Sequence, residues 1–247
     1  MVILIFILGL IIGSFLNVCI YRIPKKESIV YGSSHCIDCY NRLKPLDLIP
    51  LFSYLSLKGN CRYCQSKISL RYPLVELLTG MIFLITYLAL GFQPLLIKYL
   101  IIFSLLVIIT VIDLELQLIP DSVVIIILGW SLLWQIFMPQ LSWYQAVFGA
   151  IVGGGLLLAI AILSKGGMGG GDIKLMFAAG FFLGQVGTLL ALFVAFIAGG
   201  IIGAFLLITG KKTRKTPIPF GPFLALGITL SSLWESQIID LYLNILK

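Results

Sequence analysis

Apolar residues fall along this chain in long uninterrupted runs rather than in alternating or amphipathic patterns. The first run is Val2–Ile20, and others cover roughly 73–91, 95–112, 122–138, 143–163, 173–184, 187–209 and 219–238. A helix needs about 20 largely apolar residues to cross the hydrocarbon core of a bilayer. The pattern therefore predicts an all-α polytopic membrane protein of about eight transmembrane helices, with several boundaries blurred by short or glycine-broken runs. Residues 22–72 form the one long polar segment. The expected division is a first transmembrane helix at 1–21, a cytosolic loop at 22–72 and a transmembrane domain of about seven helices at 73–247. No basic residue precedes the first run and no small-residue cleavage site follows it, so it reads as a retained anchor rather than a secretory signal.

Composition supports this and excludes an ordinary soluble protein: 60% of residues are hydrophobic and only 11% charged, against about 25% charged in globular chains. The net charge of +7 would suggest an anionic partner in a soluble protein, but its distribution explains it differently. With the N-terminus outside, the cytosolic segments are 22–72, 113–121, 164–172 and 210–218. Of 17 Lys and Arg, 15 lie in those segments or just past their ends, leaving Lys98 and Lys247. Basic residues collect on the cytosolic side of membrane proteins, so the lipid bilayer is the expected partner and no nucleic acid is expected. Glycines recur at four-residue spacing in two late runs, Gly149/Gly153 and Gly199/Gly203, a pattern that permits close helix approach. No internal sequence repeat supports an inverted-repeat transporter.

The polar loop contains Cys36-Ile-Asp-Cys39 and Cys61-Arg-Tyr-Cys64. Two CxxC pairs at this separation present four thiolates in the arrangement a closed structural Zn²⁺ site requires. The loop has no large apolar core of its own, so metal binding would supply folding energy of about 10 kcal/mol. Disulfides are disfavoured in a reducing compartment, while a dithiol redox role stays open. Cys19 lies inside the first run and reads as a small apolar residue. His35 is the only histidine and reads as a loop residue, so histidine-based hydrolysis has no other source.

Ten Asp and Glu residues remain, and the placement of two suggests chemistry. Asp113 ends the third run, and Asp172 opens the sixth after Gly169-Gly170-Gly171. Ionisable groups at membrane depth are costly and suggest function. Carboxylates sharing a site retain one proton between them, so the ionised member activates water while the protonated one donates to a carbonyl oxygen. The glycines before Asp172 would let an extended substrate backbone approach. Asp121 follows Pro120 at the start of the fourth run and is expected to cap that helix. Asp113 has no such duty at a helix C-terminus, where the dipole disfavours an anion. Glu115 and Lys174 read as a solvated loop acid and a cytosolic-side anchor.

Taken in order, these stretches resemble the type IV prepilin peptidases, bacterial leader peptidases of the GxGD intramembrane aspartyl protease group. The resemblance is carried by Gly13 through Pro24, the two CxxC pairs, Arg71 through Glu76, Ile112-Asp113 through Pro120-Asp121, Gly169 through Lys174, and Pro219 through Gly227. It implies Asp113 and Asp172 as the catalytic pair, a non-catalytic Asp121, and a bacterial inner-membrane location with the active site at the cytosolic face. The substrates it implies are prepilins and pseudopilins, cut after a glycine between a short basic leader and a hydrophobic helix. It further implies N-methylation of the new N-terminus with S-adenosylmethionine, which the residues alone do not suggest beyond a role for 22–76. Rival readings are an ion- or proton-coupled transporter using the same carboxylates, a thiol–disulfide protein, and a non-enzymatic platform for pilus assembly.

Overall fold

The computed structural model describes residues 1–210 and 216–245. The basic residues assigned to the last cytosolic segment, Lys211, Lys212, Arg214 and Lys215, and Lys247, lie outside the described residues. Among the described residues, eight α-helices follow one another: α1 (Val2–Arg22), α2 (Phe52–Ser56), α3 (Arg71–Leu90), α4 (Pro94–Leu116), α5 (Asp121–Phe137), α6 (Trp143–Leu163), α7 (Gly170–Ile208) and α8 (Gly221–Ile245). Five are long and apolar enough to cross a membrane, namely α1, α3, α4, α6 and α7, and α5 is a shorter apolar helix. Side chains such as Ile3, Leu88, Ile125, Leu163 and Ile201 stay exposed on these helices, as lipid-facing positions should. This is a multi-pass membrane protein.

The 39-residue α7 covers two apolar runs, and its geometry shows why both are needed. Gly184 breaks the helix with φ 73° and ψ 178°, a conformation that glycine adopts without steric cost. A Cβ on Gly153 would touch both the Met176 carbonyl oxygen and Thr188 Cγ2. A straight helix would hold those two residues about 18 Å apart, so α7 doubles back at Gly184 into a helical hairpin. Counted as two helices, α7 accounts for the separate apolar runs at 173–184 and 187–209.

Two units are distinguished, residues 1–108 and 109–247, divided within α4. In the first, α1 meets α3 along a glycine stripe: a Cβ on Gly9 would lie 2.7 Å from Gly80 Cα, and one on Gly13 2.7 Å from Glu76 Cα. This spacing follows the small-xxx-small rule, although only the later pairs stand out in the hydropathy pattern. The loop after α1 starts from Arg22, whose guanidinium donates to the carbonyls of Ser28 and Tyr31 (both 2.9 Å), Gly32 (3.3 Å) and Ser33 (3.4 Å). In the second unit, α6 crosses the α7 hairpin through Gly149 and Gly153, with Ala146, Ala150 and Phe181 buried beside them. The Gly199/Gly203 pair does not bring backbones together; Gly199 faces the rings of Phe220 and Phe223.

Candidate functional site

Asp113 stands in the last turn of α4 and Asp172 in the first turn of α7. Both are buried, at 5% and 8% exposure, and they are close enough to interact electrostatically. Residues far apart in sequence are thus brought together where one helix ends and another begins.

Helix ends explain how each carboxyl is held. Asp113 lies at the negative end of its own helix. The compensation comes from α8, whose first residue, Gly221, donates its backbone N–H to Asp113 Oδ2 at 2.8 Å. That N–H is one of the donors a helix N-terminus leaves without an internal acceptor. Gln117 Nε2 also donates to the Pro217 carbonyl at 3.3 Å, joining the end of α4 to the approach of α8. Asp172 accepts the Gly169 backbone N–H, and its Oδ1 is buried with no hydrogen-bond partner among the described residues. One carboxylate oxygen is therefore free to engage water or a substrate.

The glycines before Asp172 have different duties. A Cβ on Gly169 would lie 2.8 Å from Asp172 Oδ2, and one on Gly171 would lie 2.8 Å from Ile119 Cβ. Gly170 alone of the three faces open space, with nothing within 4 Å of a Cβ placed there. Asp121 does not cap α5: Pro120 occupies the cap position and no side-chain cap bond forms. Its carboxylate instead receives Lys174 Nζ at 2.9 Å on both oxygens, an exposed pair that ties α5 to α7.

Gly221 was legible only as part of a motif, and its role depends on having no side chain. A Cβ there would stand 2.8 Å from Asp113 Oδ2 and 3.2 Å from Cγ. Gly221→Ala is expected to displace the carboxylate and lower turnover by about 10²-fold, the scale of an ångström misplacement. Gly200→Ala, where nothing lies within 4 Å, should leave turnover unchanged; equal rates for the two variants would remove Gly221 from the site.

In the other unit, the two CxxC pairs form matching knuckles. The isolated bridges His35–Arg42 and Asn60–Lys67 close them. Cys36 N–H donates to Asn41 O and Tyr40 N–H to Cys36 O; Cys61 N–H donates to Ser66 O and Gln65 N–H to Cys61 O. Tyr40 and Gln65, each following the second cysteine, share positive φ of 57° and 60°. The four Sγ atoms lie within 4.8 Å of one another, all as free thiols. Cys36 and Cys64 are 3.8 Å apart, the edge expected of a tetrahedron with Zn–S bonds of about 2.3 Å. Burial opposes ionisation of Cys36, yet the Cys39 and Asp38 N–H groups, with Cys61 and Ser66, bring its thiol down to about 6. The Ser66 hydroxyl and N–H lower Cys64 as well. Ser66, absent from the spacing argument, thus supports two sulfurs. His35 stacks on Tyr40 at 6.0 Å and is not needed as a ligand.

The cluster fits a structural zinc ion. Purified protein is expected to carry one zinc per chain, with all four thiols protected from alkylation until a chelator removes it, and Cys36→Ser should lose the metal. Reactive thiols in zinc-replete protein would favour the redox reading.

The bacterial peptidase A24 N-terminal domain family matches residues 7–90, and the type IV leader peptidase family matches residues 100–204. A prepilin leader peptidase/N-methyltransferase of Bacillus subtilis (strain 168) is 37% identical over 241 residues, covering 98% of this chain and 97% of the relative. One from Aeromonas salmonicida (strain A449) is 34% identical over 273 residues, with 98% and 93% covered. One from Pseudomonas aeruginosa is 33% identical over 266 residues, with 96% and 92% covered. No solved structure matches the chain. These relatives give no support to the transporter alternative.

Proposed function

Because the chain belongs to the type IV leader peptidase family, we propose that it is an intramembrane aspartyl endopeptidase that removes the leader from prepilins and pseudopilins and N-methylates the new N-terminus. The observation that supports the reaction is the buried Asp113–Asp172 pair, with one carboxylate oxygen of Asp172 lacking a partner among the described residues. The ionised carboxyl takes a proton from water as it attacks the scissile carbonyl, and the protonated carboxyl donates to the carbonyl oxygen. The shared proton belongs to the pair rather than to either residue. The Gly221 N–H orients Asp113, the Gly169 N–H orients Asp172, and the open space at Gly170 admits an extended backbone.

S-adenosylmethionine, when bound, supplies an electrophilic methyl group for the new N-terminal amine. The distribution of basic residues supports an inner-membrane orientation with the N-terminus outside and the active site at the cytosolic face.

Purified protein is expected to shorten a prepilin peptide at its glycine junction, with a methyl added to the product only when S-adenosylmethionine is present; mass spectrometry reads both. Binding of intact prepilin without turnover would favour an assembly platform.

A further inference from the structure

Beneath the knuckles lies a cavity of about 340 Å³, within the range of small-molecule sites. The residues that line it come from α1, the first turns of α3 and the four-cysteine loop. None of them belongs to the aspartate pair.

The glycine stripe of α1 leads to this cavity. Gly9 and Gly13 seat α1 on α3, and Asn17 comes next at the same spacing, so it shares their face. Its Nδ2 donates to the Gly13 carbonyl at 3.3 Å and the Tyr72 carbonyl at 3.1 Å. Two acceptors on one nitrogen fix the orientation of the amide. The other end, Oδ1, is buried with no hydrogen-bond partner among the described residues, in a residue only 3% exposed. A buried acceptor without a donor is unfavourable, and a ligand in the cavity would relieve it.

Glu76, on α3, also lines the cavity and is 8% exposed. Its carboxylate accepts the Leu51 N–H at 2.8 Å and the Ser14 hydroxyl, both neutral donors. Two cations on the wall are already engaged: Arg22 with the carbonyls of 28–33, and Arg62 with Asp47 at 2.7 Å. Lys67 is solvent-exposed. The buried wall therefore offers an unused acceptor and a carboxylate, which suit a cationic donor. Tyr21, Tyr54 and Tyr72 add aromatic surface, to which purines and cations both bind.

Resting on the N-methyltransferase reading above, we propose that this cavity is the S-adenosylmethionine site, with Asn17 Oδ1 and Glu76 receiving the cationic methionine end. The ligand combines a sulfonium, an ammonium and a purine, the three features that this lining complements. The cysteine loop thereby gains a second role, since Cys36 and Cys61 lie on the cavity wall.

The test is calorimetric titration of full-length, zinc-loaded protein in detergent with S-adenosylmethionine and with its neutral-sulfur product, S-adenosylhomocysteine. One site per chain is expected, with the sulfonium form bound more tightly. Glu76→Gln should weaken S-adenosylmethionine about tenfold or more and remove that preference, while Asn17→Ala should weaken both ligands. Ultraviolet cross-linking of radiolabelled S-adenosylmethionine to the unaltered protein locates the site even if a variant misfolds, and should label peptides within residues 14–76. Unchanged affinity in both folded variants, label elsewhere, or displacement by a peptide with a free N-terminal amine would each overturn the assignment. Leader cleavage by protein that binds no S-adenosylmethionine overturns it alone; binding at this site without cleavage supports it and defeats the peptidase reading.

Discussion

Asp113→Asn and Asp172→Asn are each expected to reduce leader cleavage by about 10³-fold or more, with the protein still inserted in the membrane. Asparagine preserves the shape of the carboxyl and can still accept the backbone N–H that holds it, from Gly221 or Gly169. It can neither take the proton of an attacking water nor deliver one to a carbonyl oxygen. The loss therefore reports chemistry rather than folding. Asp121→Asn provides the contrast. Asp121 and Lys174 are both more than half exposed, and such pairs contribute about 0–1 kcal/mol, so cleavage should stay within a few-fold of the unaltered protein. Initial rates of leader release, with membrane abundance measured in parallel, distinguish these cases.

Gly149→Val is expected to prevent accumulation of folded protein, and Gly180→Val should behave alike. A Cβ on Gly149 would strike the Gly180 carbonyl oxygen and lie 2.8 Å from Gly184 Cα, and one on Gly180 would strike the Gly149 carbonyl oxygen. The obstructing atoms are backbone, so no rotamer change relieves the clash. Overpacking of this kind costs about 3 kcal/mol or more. The damage reaches the chemistry because the hairpin that α6 braces also carries Asp172 in its first turn. Gly155→Val, where nothing lies within 4 Å, should accumulate normally. Thermal melting in detergent and membrane abundance read the difference; stable Gly149→Val protein would mean that the backbones do not cross there.

The parts of this molecule that were legible in its sequence are those whose physics is local. Lipid burial writes each helix as a run of apolar residues, and CxxC spacing specifies a knuckle within a few positions. Asp113 and Asp172 stood out because acids are rare in such runs. The reversal at Gly184 coincides with the break between the apolar runs 173–184 and 187–209. What stayed hidden depends on partners distant in the chain. Asp121 looked like a helix cap, but Pro120 holds the cap position, and the carboxylate is taken by Lys174 from another helix. Gly221 gave no local sign that its N–H would meet Asp113, 108 positions earlier. Asn17 figured only within the stretch Gly13 through Pro24 that carries the family resemblance; its oxygen is seen to lack a partner among the described residues only once Tyr72 has engaged the nitrogen.

Cleavage rates of Asp113→Asn, Asp172→Asn and the double variant, measured on one prepilin peptide, test most directly whether the two acids work as one device. Groups that act as a unit lose activity non-additively, so all three variants should fall to the same residual rate. A single variant that still cleaves near the normal rate, or a double variant slower by the product of the two single losses, would contradict the account.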